Sequence, residues 1–247
     1  MDIILNQRLN IFRISLKGLK LMTIDAIIFD LDNTLINRKL AFQAYTERFI
    51  ERFINLTDEG NRKEITEYII TADRDGYRKK RELYEELRTN LKLKDNNTDV
   101  EEMLEHWFSE FFKCSILMEG TIEILDNLKA KNIRLGIITN GSVHSQNAKI
   151  NEVGIRHYFD AIIISDEVEV KKPDARIFNL ALERLNASAE NTLFIGDHPV
   201  NDIKGATDAG LHGIWLKGFM DWDMTIGEPR YTINKLNELL VLIESIS

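Results

Sequence analysis

Asp30 and Asp32 stand two residues apart at the end of the apolar run Ala26-Ile27-Ile28-Phe29. A buried strand that ends in paired carboxylates is costly unless a cation or a reaction uses them. Where a parallel strand leaves its sheet, both acids can be aimed into the crevice in which open α/β sheets bind ligands. The same residues also suit a strand edge followed by a helix start, because Asp32, Asn33 and Thr34 are all good N-caps.

Three downstream stretches repeat the arrangement of an apolar run delivering polar groups. Ile133 to Thr139 reads as a strand and ends in Thr139, Asn140 and Gly141. Such an end offers a hydroxyl, an amide and backbone donors to an anion, although an ordinary strand-to-helix turn would look similar. Lys171-Lys172-Pro173-Asp174 precedes a helical pattern, and a proline at a helix entrance can hold a lysine ammonium at one place in a crevice. The run Thr192 to Gly196 then delivers Asp197, with Asp202 five residues on. Asp197, Asp202 and Asp30 could together gather a hard, oxygen-preferring cation such as Mg²⁺, while Asp202 alone could equally be an N-cap.

Taken in this order, the four elements resemble the haloacid dehalogenase superfamily of hydrolases, whose motifs run Asp-x-Asp-x-Thr, Thr or Ser, Lys, then Gly-Asp-x-x-x-x-Asp. The resemblance covers residues 24 to about 35 and 117 to about 217. It implies a Mg²⁺-dependent phosphatase that hydrolyses a small phosphorylated metabolite through an aspartyl-phosphate intermediate. On that resemblance Asp30 is the nucleophile and Asp32 the general acid/base, with its backbone carbonyl in the metal shell. Thr139 and the backbone of Asn140 bind phosphate, Lys172 neutralises the transferring group, and Asp197 is the acidic metal ligand. Asp202 ligates directly, acts through water or orients Lys172.

Phosphoryl transfer asks a protein mainly for positioning and charge neutralisation, which these residue types supply. Asp32, beside an ionised Asp30 and partly desolvated, is expected to have a raised pKa. Halide-removing members lack an acid at that position, so phosphatase is favoured over dehalogenase. Phosphosugar mutases share both acids and stay open. So does a non-catalytic phosphate- or protein-binding module on the same fold, since fold does not prove chemistry.

From Glu119 onward helical and strand patterns alternate: helix near 120–131, strand 133–139, helix 143–153, strand 160–164, helix 174–186, strand 191–196, helix 201–209, strand 212–216. Alternation of this kind argues an α/β fold, a doubly wound, Rossmann-like parallel sheet. The tail 233–246 reads as a closing helix. Between the first strand and this region, residues 37–116 become helical. Ala41, Tyr45, Phe49 and Phe53 recur at helical spacing, and Val100, Met103, Trp107 and Phe111 form an apolar stripe that Thr98 and Glu101 would cap. The expected organisation is a core of residues 22–36 and 117–247 with an inserted helical cap domain, 37–116, hinged near Ile36-Asn37 and Leu117-Glu119. Residues 1–21 read as an N-terminal extension outside the core.

The chain has 247 residues, 44% of them hydrophobic, enough for one sizeable core and a smaller appended unit. One cysteine excludes an internal disulfide framework and agrees with a cytoplasmic location. Cys114, in an apolar run, is expected to be a packing thiol. A net charge of −8 argues against a nucleic-acid partner, and no apolar segment approaches the roughly twenty residues needed to span a membrane. The basic run Arg74 to Arg81 is expected to be a solvated helix face.

Overall fold

The computed structural model describes residues 23–246. The expected extension, 1–21, lies outside the described residues. Within them, six parallel strands form one sheet: β1 (Ala26–Phe29), β2 (Arg134–Thr139), β3 (Ala161–Ile164), β4 (Thr192–Gly196), β5 (His212–Leu216) and β6 (Tyr231–Ile233). Their order is β3-β2-β1-β4-β5-β6. This is a doubly wound arrangement, and the chain reverses its direction of travel across the sheet between β1 and β4.

Alternation of side chains divides the core into two apolar layers. Ile27 and Phe29 face one layer, which is closed by Leu125 and Leu128 of α5 (Thr121–Ala130), Ile150 of α6 (Val143–Glu152) and Leu239 and Ile243 of α8 (Glu238–Ile246). Ala26 and Ile28 face the other, against Ile177, Phe178 and Ala181 of α7 (Ala175–Leu185). Strands buried on both faces explain why β1 and β4 read as continuous apolar runs rather than alternating ones.

Four helices lie between β1 and α5: α1 (Arg38–Phe53), α2 (Glu59–Asp73), α3 (Lys80–Asn90) and α4 (Val100–Glu110). They share an apolar cluster of their own that includes Tyr45, Phe49, Ile69, Leu87, Met103 and Trp107. The two chain crossings pair with each other through an Ile36–Leu117 bridge, reinforced by Asn37 N donating to Ile116 O at 2.8 Å and Met118 N donating to Leu35 O at 2.8 Å. Cys114 is buried, as a packing thiol should be.

Four local readings need correction. The tail is not all helix, because residues 231–233 pair with β5 before α8 begins at Glu238. The cap of α4 is Asp99, which accepts from Glu102 N, rather than Thr98. The expected helix 201–209 is a π-helical turn, Pro199–Lys204, running into a short helix, Gly205–Asp208, and is capped by His198. The basic run is only partly solvated, since Lys80 is half-buried and pairs with the buried Asp73.

Candidate active site

All seven residues singled out in the sequence, Asp30, Asp32, Thr139, Asn140, Lys172, Asp197 and Asp202, line one cavity of about 640 Å³. It opens at the carboxyl ends of β1, β2 and β4. Adjacent strands in register bring their ends together, so Asp30 and Asp197, each one residue past its strand, become neighbours at the switch point. The insert supplies part of the wall through Arg38, Asp75, Gly76 and Tyr77.

Lys172 is the electrostatic centre. Its Nζ donates to Asp30 Oδ1 and to Asp202 Oδ1, both at 2.6 Å, and its exposed neighbour Lys171 makes neither contact. The Asn140 side chain brackets the Lys172 backbone, accepting from its N at 2.9 Å and donating to its O at 3.1 Å. Asp202 also accepts from His198 N at 3.0 Å through Oδ2, so of the roles left open for it, orienting Lys172 has direct contacts behind it. Gly196 lets Asp202 come this close. A Cβ there would lie 2.4 Å from Asp202 Oδ2.

One ammonium pairs with two of three clustered buried carboxylates, and the ionisation equilibria reflect the imbalance. Burial, with Asp202 adding to it and Lys172 offsetting part of it, pushes the Asp30 carboxyl up to about 7. Burial, then Asp202 and Asp30, raise Asp197 well above the usual range. Burial works against the charge on Lys172, but Asp202 and Asp30 outweigh it and hold its pKa above that of a free lysine. Asp30, Asp197 and Asp202 each offer an oxygen within 4.8 Å of the others. A set of hard oxygen donors carrying excess negative charge fits a small divalent cation such as Mg²⁺.

The expectation for Asp32 is overturned. Burial does favour its neutral form, but Lys149 and Arg38 together with hydrogen bonds from Lys149 and Gln146 prevail, and the carboxyl lies below the usual value. Lys149 and Gln146, both on α6, did not emerge from the sequence, because polar residues on an amphipathic helix ordinarily face solvent. The signal on hand was their spacing of one turn directly after the Thr139-Asn140-Gly141 strand end. His198 caps the π-turn by accepting from Val200 N and Asn201 N at 3.2 Å. Its ring also meets the edge of Tyr77 from the insert at a centroid distance of 5.7 Å.

Comparison with known proteins agrees with this architecture. The model of the family described as haloacid dehalogenase-like hydrolase matches residues 27–216. The chain is 35% identical over 127 residues to pyrimidine 5'-nucleotidase YjjG of Escherichia coli, covering 51% of this chain and 56% of that protein. It is 42% identical over 95 residues to glyceraldehyde 3-phosphate phosphatase of Methanothermobacter thermautotrophicus, covering 38% and 42%. The chain thus spans about half the length of these curated relatives. A crystal structure of the HAD-type protein YfnB from Bacillus subtilis, bound to magnesium, superposes with a TM-score of 0.66 at 26% identity, covering 90% of this chain and 99% of that one. No helix among the described residues is long and apolar enough to cross a membrane. With a parallel sheet of this order and a family match running from β1 through β5, the chain belongs to the haloacid dehalogenase-like hydrolases.

Proposed function

We propose that the protein is a Mg²⁺-dependent phosphatase acting on a small phosphorylated metabolite through an aspartyl-phosphate on Asp30. The observation that carries this reading is the buried set Asp30, Asp197 and Asp202 around a single lysine, in a cavity that also presents Thr139 and Asp32. The relatives named for phosphatase and nucleotidase activities support the same class.

In this reading Asp30, Asp197 and the backbone carbonyl of Asp32 hold the cation, with Asp202 beside them as the partner that orients Lys172. The cation supplies charge neutralisation, without which the carboxylates and the phosphate would repel one another. Asp30 attacks phosphorus. Lys172, fixed from both sides, balances charge on the transferring group, and the Thr139 hydroxyl and Asn140 N–H hold its oxygens. Asp32 exchanges the proton with the leaving oxygen and then with water. Residues 37–116 act as a cap on the core formed by 22–36 and 117–247. By lining the cavity from above, the cap excludes water and contacts the part of the substrate that differs between metabolites.

The test is phosphate release from a panel of phosphorylated metabolites, including nucleoside monophosphates and triose phosphates, with Mg²⁺ or excess chelator. Expected is Mg²⁺-dependent release, with label from a trapped intermediate on Asp30. Turnover that persists in chelator, or in Asp30→Asn, overturns the reading. Transfer of the phosphoryl group back to the substrate instead of release would make the protein a mutase.

A further inference from the structure

Lys149 and Gln146 lie one turn apart on α6 and converge on Asp32. Lys149 Nζ stands 2.8 Å from Asp32 Oδ1 and 2.7 Å from Oδ2, and Gln146 Nε2 donates to Oδ2 at 3.0 Å. Gln146 Nε2 also lies 2.5 Å from Thr139 Oγ1, which links Asp32 to the phosphate-binding strand end. Lys149 is 6% exposed and Gln146 2%. A buried lysine-carboxylate pair contributes little net stability, because desolvation of the charges consumes most of their attraction. What it does fix is direction. With donors on both oxygens, the carboxylate is held as an acceptor in one orientation at the cavity wall.

The clamp also reaches the insert. The Lys149 ammonium lies 5.3 Å from the centre of the Phe111 ring, and the turn after Phe111, Phe112–Cys114, packs on α6. The side chain that orients Asp32 is therefore seated between the core and the insert.

We infer that Lys149 and Gln146 are positioning residues for the hydrolytic half-reaction, holding the Asp32 carboxylate where it takes a proton from the attacking water. The inference rests on the phosphatase reading. In the step concerned, the water oxygen bonds to phosphorus and one water proton passes to Asp32. The bond between phosphorus and the Asp30 oxygen breaks, and its electron pair returns to the Asp30 carboxylate.

An activated substrate isolates this half, since p-nitrophenolate leaves without a proton. With p-nitrophenyl phosphate and Mg²⁺, Lys149→Met is expected to lower kcat by about tenfold or more, while kcat/KM stays within about twofold and phosphoenzyme accumulates. Gln146→Leu should shift the same quantities less, and serves if Lys149→Met does not fold. In an Asp32→Asn background neither substitution should lower kcat further. Loss of kcat/KM in proportion to kcat, or an equal loss of kcat in the Asp32→Asn background, overturns the inference. If Asp32→Asn itself neither lowers kcat nor accumulates phosphoenzyme, the failure lies in the role given to Asp32.

Discussion

Asp30 should make the metal affinity and the stability of the protein depend on pH in a linked way. Its carboxyl titrates near 3.8 when unfolded and at about 7 in the fold. The folded state therefore binds this proton more tightly, and the stabilisation is fully present below 3.8 and lost as pH rises to about 7. A shift of roughly 3 units corresponds to about 4 kcal/mol at most, the burden of an ionised Asp30 beside Asp202 in the metal-free protein at pH 8. A divalent cation must displace that proton to bind. Its affinity should then fall about tenfold for each unit of pH below 7, with Asp197, raised in the same direction, steepening the fall. Titration calorimetry with Mg²⁺ at several pH values, with melting curves in chelator, measures both quantities. Asp30→Asn, which removes the charge and keeps the shape, should raise the melting temperature of the metal-free protein most at pH 8, less at pH 5, and not at all below 3.8. Mg²⁺ affinity that changes less than about twofold between pH 5.5 and 7, or an Asp30→Asn protein no more stable than wild type at pH 8, would refute this argument.

Two substitutions test the supports of the site. Asp73 is fully buried between Arg38, at 2.9 Å, and Lys80, so Asp73→Ala strands two cations and should destabilise the protein by about 3–5 kcal/mol, read by denaturant unfolding. Gly196→Ala drives a methyl group into Asp202; a loss of about 1–3 kcal/mol and a fall in kcat are expected as Lys172 loses its anchor, and unchanged kcat would show that Asp202 does not hold Lys172 in place.

The chemistry of this chain was legible because it sits at strand ends. Asp30, Thr139 and Asp197 each terminate or follow an apolar run, and parallel strands paired in register bring such ends together. The polar groups at those ends therefore meet in one cavity. The helical insert was legible for a similar reason, since the spacing of Tyr45, Phe49 and Phe53 along α1 is the spacing of one buried face. Strand β6, at three residues, is too short to carry a period and exists because β5 offers an edge to pair with.

What the sequence could not determine is which long-range partner each polar group finds. Asp32 lies 117 positions from Lys149 and 114 from Gln146, and the local hint, their one-turn spacing just after a strand end, does not say which acid they meet. Proximity to Asp30 alone would raise the pKa of Asp32. The fold instead set a buried ammonium against it and reversed the shift. Asp30 went the other way, although it too has a lysine at 2.6 Å, because burial outweighs that lysine and the charge of Asp202, which shares it, adds to the burden. The sequence by itself pointed to the parallel sheet, the helical insert and the polar groups gathered at strand ends, since these follow from periodicity and from where apolar runs stop. The ionisation of each acid depends on charges brought within a few ångströms from distant parts of the chain, and only the tertiary structure decided that.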